Sequence, residues 1–91
     1  MTTLHVLSHS PFTDNRLDSC LRLLGLEDGV LLCGDATYAL RTPDALKGAR
    51  LFVLAEDAEA RGLEVPPPAQ AIDYSGFVEL ALAYDKVNTW L

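Results

Sequence analysis

The apolar residues of this chain fall into two rhythms, short unbroken runs and helical stripes, and the two alternate. Residues Thr3 to Ser8 (TLHVLS) are mostly apolar on both faces and read as a strand, ended by Pro11. Thr13 and Asp14 are good helix N-cap types. From there Leu17, Cys20, Leu21 and Leu24 recur at i, i+3, i+4 and i+7, one face of a helix, with Gly25 as its stop. Val30-Leu31-Leu32-Cys33 is a second unbroken run, and Leu51-Phe52-Val53-Leu54 a third. Such runs suit strands buried on both faces, as in parallel sheets. Between them Asp35 can cap a short helix through Tyr38-Ala39-Leu40, and Thr42-Pro43 before Gly48 reads as a single helical turn.

Beyond the third run, Glu56 to Arg61 reads as a short helix closed by Gly62. Pro66-Pro67-Pro68 is a stiff connector, and Ala69 to Ile72 a weak fourth strand. Asp73 or Ser75 caps a last helix with Phe77, Leu80, Ala81 and Tyr84 on one face, widened by Val78 and Leu82. Val87 to Leu91 reads as a tail ending in two large apolar residues. Strand and helix alternate four times, so the expected architecture is α/β, a small three-layer sandwich around a parallel sheet of about four strands. One domain spanning 1–91 is expected, without internal repeats.

Composition narrows the class further. At 91 residues the chain buries only about 60–65% of its unfolded surface, leaving little stability margin. No apolar run approaches the roughly 20 residues of a membrane span, and MTTLHVLSHS lacks the features of a signal peptide, so no membrane association is expected. Two cysteines make no disulfide framework, which together with these absences points to the cytoplasm. Thirteen acids against seven bases give a net charge of −6, and the bases are scattered, which argues against strong direct nucleic-acid binding.

The ends of parallel strands are where chemistry collects. His9 and Ser10, Cys33 to Asp35, Glu56 and Asp57, and Asp73 and Tyr74 all fall there. A Cys33–His9–Asp35 relay can be drawn, but Cys33 closes an apolar run, and free cysteine is among the most buried residue types, so a core role is preferred. Cys20 lies on the apolar stripe of its helix, beyond reach of the helix dipole, and reads as buried and inert by the same logic. The two histidines and two cysteines show no metal-ligand spacing. No phosphate-binding or dinucleotide fingerprint occurs, so no metal or cofactor is expected. The strongest residue-level feature is apolar surface in excess of core: Phe77 and Tyr84 on the last helix, with Trp90 and Leu91 after it, read as a partner interface. The alternative is that Trp90 folds back over the sheet.

The stretches LHVLSHSPF with NRLDSCLRLL, VLLCGDATYAL, LFVLAEDAEARGL and IDYSGFVELALAYDKVNTWL, in this order, resemble the TusB/DsrH family nearly end to end. The more specific parts are His9-Ser10-Pro11-Phe12, Glu56-Asp57 before Ala60-Arg61-Gly62, and Asp73-Tyr74 before Phe77-Val78. The resemblance implies a DsrE/F/H-like fold and membership in a heterohexamer, a dimer of trimers. The implied partners are TusC/DsrF-like and TusD/DsrE-like subunits, with a TusE/DsrC-like sulfur acceptor served through the complex. That assembly relays persulfide sulfur, either for 2-thiolation of the wobble uridine of tRNA or for sulfur oxidation. The main persulfide cysteine belongs to the D/E-type subunit, which implies a mainly structural, partner-binding role here. Cys20 falls where the H-type branch carries a cysteine, so an auxiliary persulfide carrier at Cys20 is the alternative.

Overall fold

The computed structural model describes residues 2–10, 15–25, 27–41, 50–67 and 69–90. Five strands build one sheet: β1 (Thr3–Leu7), β2 (Gly29–Leu32), β3 (Arg50–Leu54), β4 (Gln70–Ile72) and β5 (Lys86–Trp90). Three α-helices connect them, α1 (Arg16–Leu23), α2 (Ala55–Ala60) and α3 (Tyr74–Ala83), together with a 3-10 helix over Gly34–Arg41. Every strand pair is parallel and the order is β4-β3-β2-β1-β5. The expected α/β sandwich with a parallel sheet is present, with one strand more than the four anticipated. Val87 to Trp90 is that fifth strand, paired along β1 from Thr3–Lys86 to Leu7–Trp90. Its sequence, Lys-Val-Asn-Thr-Trp, mixes polar and apolar residues and its side chains are largely exposed, so it lacks the unbroken apolar run that marks the inner strands.

The strand order decides which helices lie on which face. The connections β1–β2, β2–β3 and β3–β4 all step in one direction across the sheet, while β4–β5 steps back over it. Parallel crossovers are right-handed almost without exception, so the three forward connections share one face and the return connection takes the other. The packing follows that rule. Leu7, Val30, Leu32, Leu51 and Val53 pack with Leu17 and Cys20 of α1, Ala36, Ala39 and Leu40 of the 3-10 helix, and Ala58 of α2. On the opposite face Leu4, Val6 and Leu31 meet Phe77, Leu80 and Tyr84 of α3 and its neighbourhood.

Local signals account for most element ends. Asp73 caps α3, its carboxylate accepting the Gly76 N–H at 2.7 Å, so Asp73 rather than Ser75 is the cap. Gly62, at φ +66, closes the turn after α2. Gly34, at φ +52, turns the chain out of β2 into the 3-10 helix. The end of α1 differs from expectation: Leu24 leaves the helix in extended conformation, and Gly25 instead donates its N–H to the Asp28 carboxylate at 2.9 Å. Asn15 precedes α1 without a side-chain cap bond, while Thr13, Asp14 and the turn at Thr42-Pro43 lie outside the described residues.

Candidate functional site

Four groups of side chains bear on function. The first lies at the ends of the inner strands. Cys33 is half-buried, and its thiol donates to the Leu7 carbonyl at 3.4 Å. Burial, and secondarily the Asp57 carboxylate, push that thiol up, with Arg61 acting against them. Asp57 accepts the Gly34 N–H at 2.8 Å. Asp35 receives both Nε and Nη2 of Arg61, at 3.2 and 3.0 Å, and the Arg61 and Arg41 guanidiniums both approach the Tyr38 ring. His9 is exposed. Of the relay that could be drawn, and that ranked below a core role for Cys33, the thiol is thus engaged with a backbone carbonyl and the Asp35 carboxylate with an arginine. These bonds tie the 3-10 helix to α2 and hold the strand ends together.

Cys20 is the second. It faces the sheet from α1 and is 0% exposed among Leu17, Leu7, Val30 and Leu32. Burial, followed by the nearby Asp28 carboxylate, pushes its thiol pKa up to about 11. At neutral pH it is therefore a protonated thiol with no route to solvent, the opposite of what sulfur exchange asks of a nucleophile.

The third group is a hydrogen-bonded chain beneath β5. Trp90 donates its indole N–H to His5 Nδ1 at 3.1 Å, and His5 Nε2 stands 3.4 Å from Asp28 Oδ2. Asp28 also accepts the Gly25 and Thr3 N–H groups, which together with His5 hold its carboxyl below the usual range. Trp90 is half-buried against the core on the helix-rich face. Among the residues expected at an interface, then, Trp90 folds onto the face opposite α3, and Leu91 lies outside the described residues.

The fourth group is the outer side of α3. No residue of this helix is buried, although seven of the ten in Tyr-Ser-Gly-Phe-Val-Glu-Leu-Ala-Leu-Ala are apolar or aromatic. Leu80 and Tyr84 turn toward the sheet, and Tyr84 packs so closely over Gly29 that a Cβ there would run into the phenol hydroxyl. On the outer side Phe77, Val78, Ala81 and Leu82 line a shallow apolar groove of about 210 Å³. Leu82 is 82% and Val78 59% exposed. Of the residues expected at the interface, Phe77 both packs on the sheet and lines this groove, while Tyr84 packs on the sheet. Among the described residues no three His, Cys, Asp or Glu side chains are grouped to hold a metal, and no helix is long and apolar enough to cross a membrane.

The fold resembles that of the ychN protein from E. coli. That structure superposes with a TM-score of 0.71, covering 99% of this chain and 100% of ychN, at 16% identity, a likeness of fold. The chain is thus a small α/β domain with a parallel sheet. The sequence relationship is closer and specific: the model of the DsrH-like protein family matches residues 9–87. Protein TusB of Erwinia tasmaniensis is 39% identical over 96% of this chain and 99% of its own length. Protein TusB of Yersinia pestis is 38% identical over the same shares. The chain belongs to the TusB/DsrH family.

Proposed function

We propose that this member of a sulfur-relay family acts mainly as a partner-binding subunit, docking through the outer side of α3. The partners are TusC/DsrF-like and TusD/DsrE-like subunits in a heterohexamer that passes persulfide sulfur to a TusE/DsrC-like acceptor in the cytoplasm. The destination is the 2-thio group of the wobble uridine in tRNA. The observation that carries the reading is α3 itself: a ten-residue, largely apolar helix with no buried residue. Contiguous apolar surface of this kind on a small domain marks a site of protein contact. The state of Cys20 supports assigning sulfur chemistry to a partner's cysteine, since a buried thiol with a raised pKa is a poor nucleophile.

The test uses defined sister subunits rather than a lysate. Leu82→Lys and Val78→Asp alter exposed positions, so each should abolish co-purification with those subunits and stop sulfur transfer through the assembled complex while the chain's own unfolding midpoint stays close to that of the unaltered protein. Retention of the full complex by both variants would overturn the docking reading. The alternative, Cys20 as an auxiliary persulfide carrier, predicts a mass gain of one sulfur atom on this chain after exposure of the complex to a persulfide donor, absent in Cys20→Ser.

A further inference from the structure

We propose that Trp90, His5 and Asp28 form a protonation-sensitive latch that locks the end of β5 onto β1 while His5 is neutral and releases it when His5 gains a second proton. The inference rests on which atoms can donate. An indole N–H has no acceptor capacity, so the 3.1 Å contact from Trp90 requires a bare lone pair on His5 Nδ1. The single imidazole proton therefore sits on Nε2, facing Asp28 Oδ2 at 3.4 Å. A second proton has only Nδ1 to occupy. There it turns the acceptor into a donor pointed at another donor, and the Trp90 bond is lost. The Asp28 carboxylate, held by the Gly25 and Thr3 N–H groups, faces the Nε2 side of the ring and keeps that partner in either protonation state. The two partners of His5 thus differ in what they require: the Trp90 bond exists only with a bare Nδ1, whereas the Asp28 contact needs only a proton on Nε2.

His5 is buried, with Val30 of β2 on one side and Asn88 of β5 on the other in register. On this side of the sheet the described residues around His5 include Asp28 from the α1–β2 connection, Cys20 from α1, which feels that carboxylate, and Lys86 at the start of β5, while Arg16 and Arg22 of α1 have interactions of their own. The start of β5 has its own clamp. Thr2 N–H donates to Asp85 Oδ2 at 3.0 Å, Asp85 N–H to Thr2 Oγ1 at 3.2 Å, and Lys86 N–H to the Thr2 carbonyl at 3.1 Å. Release of Trp90 therefore frees the far end of an edge strand and leaves its beginning attached.

The protein has one tryptophan, so its indole N–H gives a single resonance. In ¹H–¹⁵N spectra of the full chain between about pH 8 and 5, where histidine changes charge, that resonance is expected to move with the same midpoint as the His5 ring. Amide protection of Asn88 and Trp90 should fall about tenfold across the transition while β3 amides stay protected, as for a local opening. His5→Asn, which keeps an acceptor near the Nδ1 position and cannot titrate, should remove the transition. An indole resonance that stays fixed while His5 titrates overturns the latch. So does loss of β3 protection in the same transition, or an unchanged transition in His5→Asn.

Discussion

The face of the sheet bearing Leu7, Val30, Leu32 and Val53 and the face bearing Leu4, Val6 and Leu31 are made by the same strands, yet they are clad very differently. The first lies under α1, the 3-10 helix and α2, and includes fully buried side chains from both layers, such as Val30 of the sheet and Cys20 of α1. Among the described residues the second lies under α3, a helix with no buried residue. The cause is topological. Three right-handed crossovers running one way stack their helices on one side, and the single return crossover has the other side to itself. An apolar face with too little of its own chain to cover it is thereby written into the strand order, independently of any particular residue on α3.

That contrast can be broken or sharpened by matched changes on the two faces. Leu32→Ala on the well-clad face should cost about 2–5 kcal/mol, because it leaves a cavity among residues that cannot collapse into it. Denaturant unfolding measures it. On the same face, the raised Cys20 thiol gives a signature in alkali. Its folded pKa of about 11 lies above the unfolded value, so its contribution to stability is complete below that unfolded value and is lost as pH rises through the interval toward 11. Cys20→Ala should flatten that alkaline decline in a pH series of unfolding midpoints. Asp73→Ala, which removes the cap of α3, should cost about 1 kcal/mol. Leu82→Ala on the thinly clad side should change stability by less than about 0.5 kcal/mol, since its side chain supports nothing inside the chain. A large loss for Leu82→Ala would mean that the exposed side of α3 serves the fold after all.

The sequence made the helix-rich half easy to read and the other half hard, for physical reasons. Strands β2 and β3 announce themselves as unbroken apolar runs because both of their faces are covered, and α1 shows its stripe because one side meets a core. Strand β5 is an edge strand of mostly exposed, mixed polar and apolar residues, so Val87 to Trp90 looks like a tail until β1 is beside it. In α3 the apolar positions extend around both sides, and periodicity alone cannot tell Tyr84, which covers Gly29, from Leu82, which faces out. Cys20 was legible from its stripe. The engagement of Trp90 with His5 was not, because a contact across 85 positions depends on the pairing of β5 with β1, which no local signal revealed.

Amide hydrogen exchange over Tyr74–Ala83, compared between the free chain and the complex assembled with its TusC/DsrF-like and TusD/DsrE-like subunits, tests the partner role most directly. Protection should rise along α3 on assembly while α2, already packed on the chain's own core, changes little. Equal exchange of α3 in the two states would contradict the proposal that another subunit covers this face.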